Sequence, residues 1–198
     1  MSLGVLTGLG VWRITRIWLP LAQTPLVDRV ALGSALIAGL LAGGMLAVAR
    51  LPLAVMACAL LVSGLLAALS VIDLATRRLP NVLVAALFVV GLVHPLVRIT
   101  NWRMMLTGAA FGAVMFGLLG LLGRGALGAG DVKLAIAIGA VLGLPAAIWG
   151  LVLGILAGGL GAILLLVTRS ATRKDKMAYG PYLAAGAWVT YMAMLGVW

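Results

Sequence analysis

The sequence predicts an all-α protein, a polytopic transmembrane bundle of about seven helices. Three observations carry that prediction. Of 198 residues, 65% are hydrophobic, and 14 basic and 4 acidic side chains could not clothe a soluble domain of this size. The apolar residues fall in long blocks, each close to the ~20 needed to cross a bilayer, and mean hydropathy is +1.26. Period-2 alternation is missing. In lipid every backbone polar group must be satisfied internally, so helices are favoured over a barrel.

Helices are expected at 30–49, 53–72, 82–97, 104–122, 134–149, 151–168 and 181–197. Gly, Pro or charge marks the breaks: Arg50-Leu51-Pro52, Arg77-Arg78-Leu79-Pro80, Arg98 to Arg103, Arg124 to Lys133, Gly143-Leu144-Pro145 and Arg169 to Lys176. Residues 1–29 form a separate interfacial segment, because Trp12, Arg13, Arg16 and Trp18 mix basic and aromatic anchors. Arg13 and Arg16 also interrupt any apolar core of a removable signal peptide. The bundle proper is expected over 30–198. Glycines at 39, 43 and 44, and at 154, 158, 159 and 161, are expected to form the packing faces of their helices.

A net charge of +10 in a soluble protein would suggest nucleic acid. Here the cations lie between apolar blocks, which argues for topology and against nucleic-acid binding. Counting Lys and Arg in alternate connections places 11 on one side and 3 on the other. The N-terminus and the 73–81, 123–133 and 169–180 connections are therefore expected in the cytoplasm, with the C-terminus outside. The basic run from Arg169 to Lys176 reads as a cytoplasmic anchor near lipid headgroups.

The chain has four acidic residues, all aspartate. Asp28 and Asp175 read as solvated loop charge. Asp73 follows the run Leu65 to Ile72, and Asp131 closes Gly128-Ala129-Gly130-Asp131 and opens the next helix. The charge count puts both at similar depth on the cytoplasmic side. Ionisable groups at membrane depth are costly and usually functional. Two converging carboxylates would share a proton, so that one could take a proton from water while the other donates to a scissile carbonyl. That is aspartyl-protease chemistry and needs no metal or cofactor. Gly128 and Gly130 could take positive φ and expose backbone to an extended substrate. The helix dipole would favour Asp131 as the anion, leaving the shared proton to Asp73. The stretch 123–130, with four glycines, is expected to be loosely ordered until substrate binds. The competing reading is that the two aspartates cap helices or balance Arg77, Arg78 and Lys133.

Taken together, these segments resemble the type IV prepilin peptidase family. Asp73-Leu-Ala-Thr-Arg-Arg-Leu-Pro80-Asn81 is similar to that family's first catalytic segment. Gly128-Ala-Gly130-Asp131-Val-Lys133 and its Gly-bearing helix resemble the second, and Tyr179-Gly180-Pro181-Tyr182 resembles a late Gly-Pro segment. Pro25-Leu-Val-Asp28 resembles an element ahead of the membrane core. The resemblance implies an aspartyl endopeptidase of the plasma membrane that removes the basic leader of prepilins or pseudopilins at the cytoplasmic face. It implies Asp73 and Asp131 as catalytic pair, with Pro80, Gly128, Gly130, Lys133, Gly180 and Pro181 as motif or substrate-loop residues. At i+2 from Asp131, Lys133 points away along a helix and reads equally as a snorkelling anchor. Many members also carry four cysteines in an N-terminal loop and methylate the new N-terminus. Cys58 is the lone cysteine here, so a shortened form without S-adenosylmethionine use is expected. Ala75 stands where many members have a second acid, which leaves Asp73 alone in its segment. Presenilin-like peptidases share Gly-x-Gly-Asp, but Ile72 replaces their Tyr before the first aspartate.

The rival from another class is a small proton- or cation-coupled transporter using Asp73 and Asp131, which midplane placement would favour. His94 lies near the outer end of its helix, away from the aspartates, and reads as structural. The six tryptophans read as interface anchors.

Overall fold

The computed structural model describes residues 9, 10, 12, 13, 17, 51–122, 128–168 and 177–196. The expected helix at 30–49, nearly all of 1–29, the basic run at 169–176 and residues 123–127 lie outside them. Six helices are found among the described residues: α1 Leu53–Thr76, α2 Asn81–Val93, α3 Trp102–Leu122, α4 Ala129–Leu142, α5 Ala146–Val167 and α6 Gly180–Met194. Three of these, α1, α3 and α5, are long and apolar enough to cross a membrane. The architecture is that of a helical membrane protein.

Several ends differ from expectation. Helix α1 runs one turn beyond residue 72 and takes Asp73 inside it. It stops where Arg77 adopts a left-handed conformation (φ 52°) and returns its N–H to the Asp73 carbonyl at 2.7 Å. Thr76 Oγ1 reinforces that stop by donating to the Ile72 carbonyl at 2.8 Å. Helix α2 ends at Val93, four residues early, where His94-Pro95 opens a run of turns. The expected helix 134–149 is divided: α4 starts at Ala129 and ends at Leu142, and α5 begins at Ala146. Gly143 makes that division. Its φ is +64°, and a Cβ there would stand 3.0 Å from the Cβ of Met104.

Helix α4 is the centre of the bundle, in contact with α2, α3, α5 and α6. Eight of its fourteen residues, from Leu134 and Ala135 through Ala137 to Leu142, are buried. Glycine lets the neighbours come this close. A Cβ on Gly139 would collide with the Gly108 carbonyl of α3, and one on Gly112 with the Ala135 carbonyl. The glycines of α5 do the same for α6. Gly154 faces Leu183, Gly158 receives the Tyr179 ring and Gly161 the Tyr182 ring, whereas Gly159 faces open space. The outer faces of α3 and α5 expose Leu118, Leu121, Leu122, Leu156, Leu160 and Ile163, as lipid-facing helices do.

One end of the bundle is closed by His94, which is 0% exposed. Its Nδ1 lies 2.8 Å from the Val141 carbonyl and its Nε2 3.2 Å from the Tyr191 hydroxyl. A carbonyl can only accept, so Nδ1 carries the proton and Tyr191 donates to Nε2. His94 is thus a structural tie between α2, α4 and α6. Trp188 departs from the interface-anchor reading: it is partly buried and donates from Nε1 to Ser63 Oγ at 3.0 Å, joining α6 to α1.

Candidate active site

The opposite end of the bundle gathers the C-terminus of α1 and the N-termini of α2, α4 and α6. Each segment is built by a local rule. After the left-handed stop at Arg77, Arg78 and Leu79 lie outside any helix, and Pro80 (φ −64°, ψ 122°) starts α2 by accepting the Leu83 and Val84 N–H groups at 3.1 and 3.2 Å. Gly128 starts α4 in the same way, accepting from Asp131 N–H at 3.0 Å, and Asp131 Oδ2 answers by accepting the Gly128 N–H at 3.2 Å. Gly128 does this at φ −74°, and neither it nor Gly130 takes positive φ. The expected left-handed glycines are therefore replaced by an ordinary helix start. Residues 129–131 form its first turn.

A cavity of about 320 Å³ opens here. Asp73 and Asp131 both line it, with the cations Arg77, Arg78 and Lys133 and with Leu79, Asn81, Gly128 and Gly130 completing the wall. The bare face of Gly130 is turned to Leu79, whose Cβ lies 3.4 Å from where a side chain would start. Lys133, expected to point away from Asp131, reaches back across the opening and donates from Nζ to Asn81 Oδ1 at 3.0 Å. The first two motifs are thereby joined. Pro80 and Pro181 shape helix starts and do not line the cavity.

The two carboxylates are held differently. Asp73 is 4% exposed, and its Oδ2 accepts the Gly180 N–H at 2.8 Å. Asp131, in the first turn of α4 and outside the three apolar spans, is half-buried. Burial pushes its carboxyl up to about 6, against the opposing Gly128 N–H, and the negative charge of Asp73 adds to the rise. The helix dipole alone had favoured an anionic Asp131; desolvation outweighs it. The phenol of Tyr179, just ahead of α6, is raised as well, by burial and then by the Asp131 charge. The helix-capping reading of Asp131 is geometrically true, yet it leaves the carboxyl facing the cavity. For Asp73 it takes another form: the helix end it serves is that of α6. Among the described residues, no group of three or more His, Cys, Asp or Glu gathers to hold a metal ion.

Both aspartates and the three motifs stand out in the sequence, whereas the bonds between motifs are visible only in the fold. Nothing local announces that Gly180 serves Asp73 or that Asn81 serves Lys133. The signal was only that each partner sits within a recognisable segment.

The sequence model of the type IV leader peptidase family matches residues 58–166, more than half of the chain. This chain belongs to the type IV leader peptidase family. Curated relatives include the prepilin leader peptidase/N-methyltransferases of Xanthomonas campestris pv. campestris and Bacillus subtilis. The first is 32% identical over 136 residues, 66% of this chain and 47% of the relative. The second is 26% identical over 129 residues, 65% of this chain and 52% of the relative. The equivalent protein of Pseudomonas aeruginosa is 32% identical over 139 residues, 64% of this chain and 46% of the relative. The chain thus spans about half the length of the curated relatives it matches. No solved structure matches it.

Proposed function

We propose that this chain is an aspartyl endopeptidase that cuts the basic leader from type IV prepilins or pseudopilins at the cytoplasmic face of the plasma membrane, with Asp73 and Asp131 as its catalytic pair. The supporting observation is that the only two described aspartates come from separate helices to line one cavity, where the charge of one acts on the other. In the proposed reaction the ionised carboxylate takes a proton from water as the water oxygen bonds to the scissile carbonyl carbon. The protonated carboxyl donates to the carbonyl oxygen. When the tetrahedral intermediate collapses, the C–N bond breaks and the amine leaves with the proton held by the first carboxylate. Both groups belong to the protein, so the step uses no metal or cofactor.

A transporter would use the same aspartates near mid-membrane. Their position at the ends of α1 and α4, around an opening at one end of the bundle, favours the peptidase. The test is to incubate the purified full chain with a panel of prepilin leaders and map the cut by mass spectrometry. A single cut just before the apolar helix of the substrate is expected, and an uncut panel would overturn the reading. Cysteine labels at Thr76 and Asn101, in a Cys58→Ser background, address the face: only Thr76 should react from the cytoplasm.

A further inference from the structure

Asp73 lies near the end of α1, yet its carboxylate is satisfied from a helix 107 residues further along the chain, by the Gly180 N–H at 2.8 Å. That amide belongs to the first residue of α6, where N–H groups have no carbonyl one turn earlier to bond. Pro181 follows and carries no N–H. The next two amides, of Tyr182 and Leu183, turn back to the Tyr179 carbonyl at 3.2 and 3.3 Å. Gly180 is therefore the donor that α6 has left for Asp73, and it sits at the positive end of the helix dipole. The contact also demands glycine: a Cβ at Gly180 would stand 2.7 Å from Asp73 Oδ2 and 3.1 Å from its Cγ.

Resting on the dyad reading above, we propose that Gly180 is the positioning residue that makes Asp73 the water-activating carboxylate and leaves the shared proton on Asp131. An N–H donated from a helix N-terminus strengthens as its acceptor becomes an anion. Burial of Asp73, which is 4% exposed, disfavours the anion, and the Gly180 bond opposes that burial, so the bond acts on charge state as well as on place. Asp131 receives a longer bond, 3.2 Å, from Gly128. The other charged or titratable groups around the pair do not single out one carboxyl. Arg77 and Arg78 beyond α1 and Lys133 on α4 line the cavity that both share. The Tyr179 hydroxyl ahead of α6 donates instead to the Ile155 carbonyl at 3.3 Å. The late Gly-Pro segment, which does no chemistry of its own, thereby acquires a role, with glycine allowing the close approach and proline keeping the next amide from competing.

The sequence contains a single Tyr-Gly pair, Tyr179-Gly180. Labelling the full chain with carbonyl-13C tyrosine and 15N glycine therefore isolates the Gly180 amide in an NMR spectrum. Its proton should move downfield as pH rises through the ionisation of Asp73, and Asp73→Asn should lose that movement. A resonance that ignores pH, or moves equally in Asp73→Asn, overturns the proposal. The kinetic arm is Gly180→Ala, expected to lower kcat for leader cleavage by ~10²-fold with KM little changed, as small misplacements of reacting groups do. The acid limb of its pH profile should move to higher pH, since the anion has lost its donor. An unmoved acid limb, or an effect on KM alone, contradicts the assignment. Should Gly180→Ala fail to fold, the labelled wild-type chain still decides. If Asp73→Asn or Asp131→Asn cleaves normally, the dyad itself falls. If both are inactive while the Gly180 resonance ignores Asp73, only this inference falls.

Discussion

Lys133 Nζ donates to Asn81 Oδ1 at 3.0 Å and so ties the N-terminal part of α4 to the first residue of α2 beside the two aspartates. The bond spans 52 residues of sequence and closes the cavity wall between the first two motifs. Both ends are exposed, so its energetic weight is small, up to about 1 kcal/mol. Its consequence is alignment: the tether keeps the helix that carries Asp131 in register with the chain that follows Asp73.

A double-mutant cycle tests that tether. Lys133→Met and Asn81→Ala should each reduce kcat/KM for leader cleavage by about 3- to 10-fold, and the double variant should be no worse than the weaker single one. Additive losses would mean that the two side chains act independently, Lys133 then serving only as a topology anchor.

The pH dependence follows from Asp131. Its carboxyl is raised from 3.8 to about 6, so it stays protonated through mildly acidic conditions and loses the proton as pH rises through about 6. Cleavage needs one carboxyl protonated, and kcat/KM should fall roughly tenfold per unit above that value. Folding stability carries the same sign. A raised folded-state value favours the folded form on the acid side, an advantage lost as pH rises from 3.8 to about 6. Asp131→Asn should flatten the pH dependence of the unfolding midpoint across that window. A profile still rising above pH 7 would show that Asp131 does not hold the proton.

The glycines of the bundle should separate into two classes. Gly139→Ala places a Cβ against the Gly108 carbonyl at the α3–α4 crossing and should cost about 1–3 kcal/mol, because backbone cannot move aside cheaply. Gly159→Ala meets nothing within 4 Å on the same scale and should raise stability by about 0.5–1 kcal/mol through helix propensity. Thermal unfolding in detergent measures both. Equal effects would discredit the packing described for α4.

Much of this was legible in the sequence, and the remainder was hidden for physical reasons. The apolar runs of α1, α3 and α5 declare themselves because lipid-facing helices need length and hydropathy alone. Helix α4 does so only in part: Gly143-Leu144-Pro145 marks a break at its end, whereas its start at Ala129 rests on the helix start made by Gly128. The position of Asp73 inside α1 depends on the left-handed Arg77 and the bonds of Thr76, which no hydropathy pattern records. The two aspartates stand out in the sequence by their rarity and neighbours. Their ionisation does not: a dipole is visible in sequence, whereas the burial that overrides it for Asp131 is a tertiary property. The Gly180 bond to Asp73 is equally tertiary, although the Gly-Pro spelling of that segment marked where to look.

If Asp73 and Asp131 act together on a leader peptide, replacing either by asparagine should abolish cleavage. Asparagine preserves size and can still accept the Gly180 or Gly128 amide, so folding should be retained, as judged by the unfolding midpoint. Neither amide side chain can exchange a proton with water or a carbonyl in the manner of a carboxyl. Purified Asp73→Asn and Asp131→Asn should each cut a prepilin leader at least ~10²-fold more slowly than the unsubstituted chain, with the double variant no slower than the singles. Cleavage near the wild-type rate by either folded variant would contradict the joint action of the two aspartates.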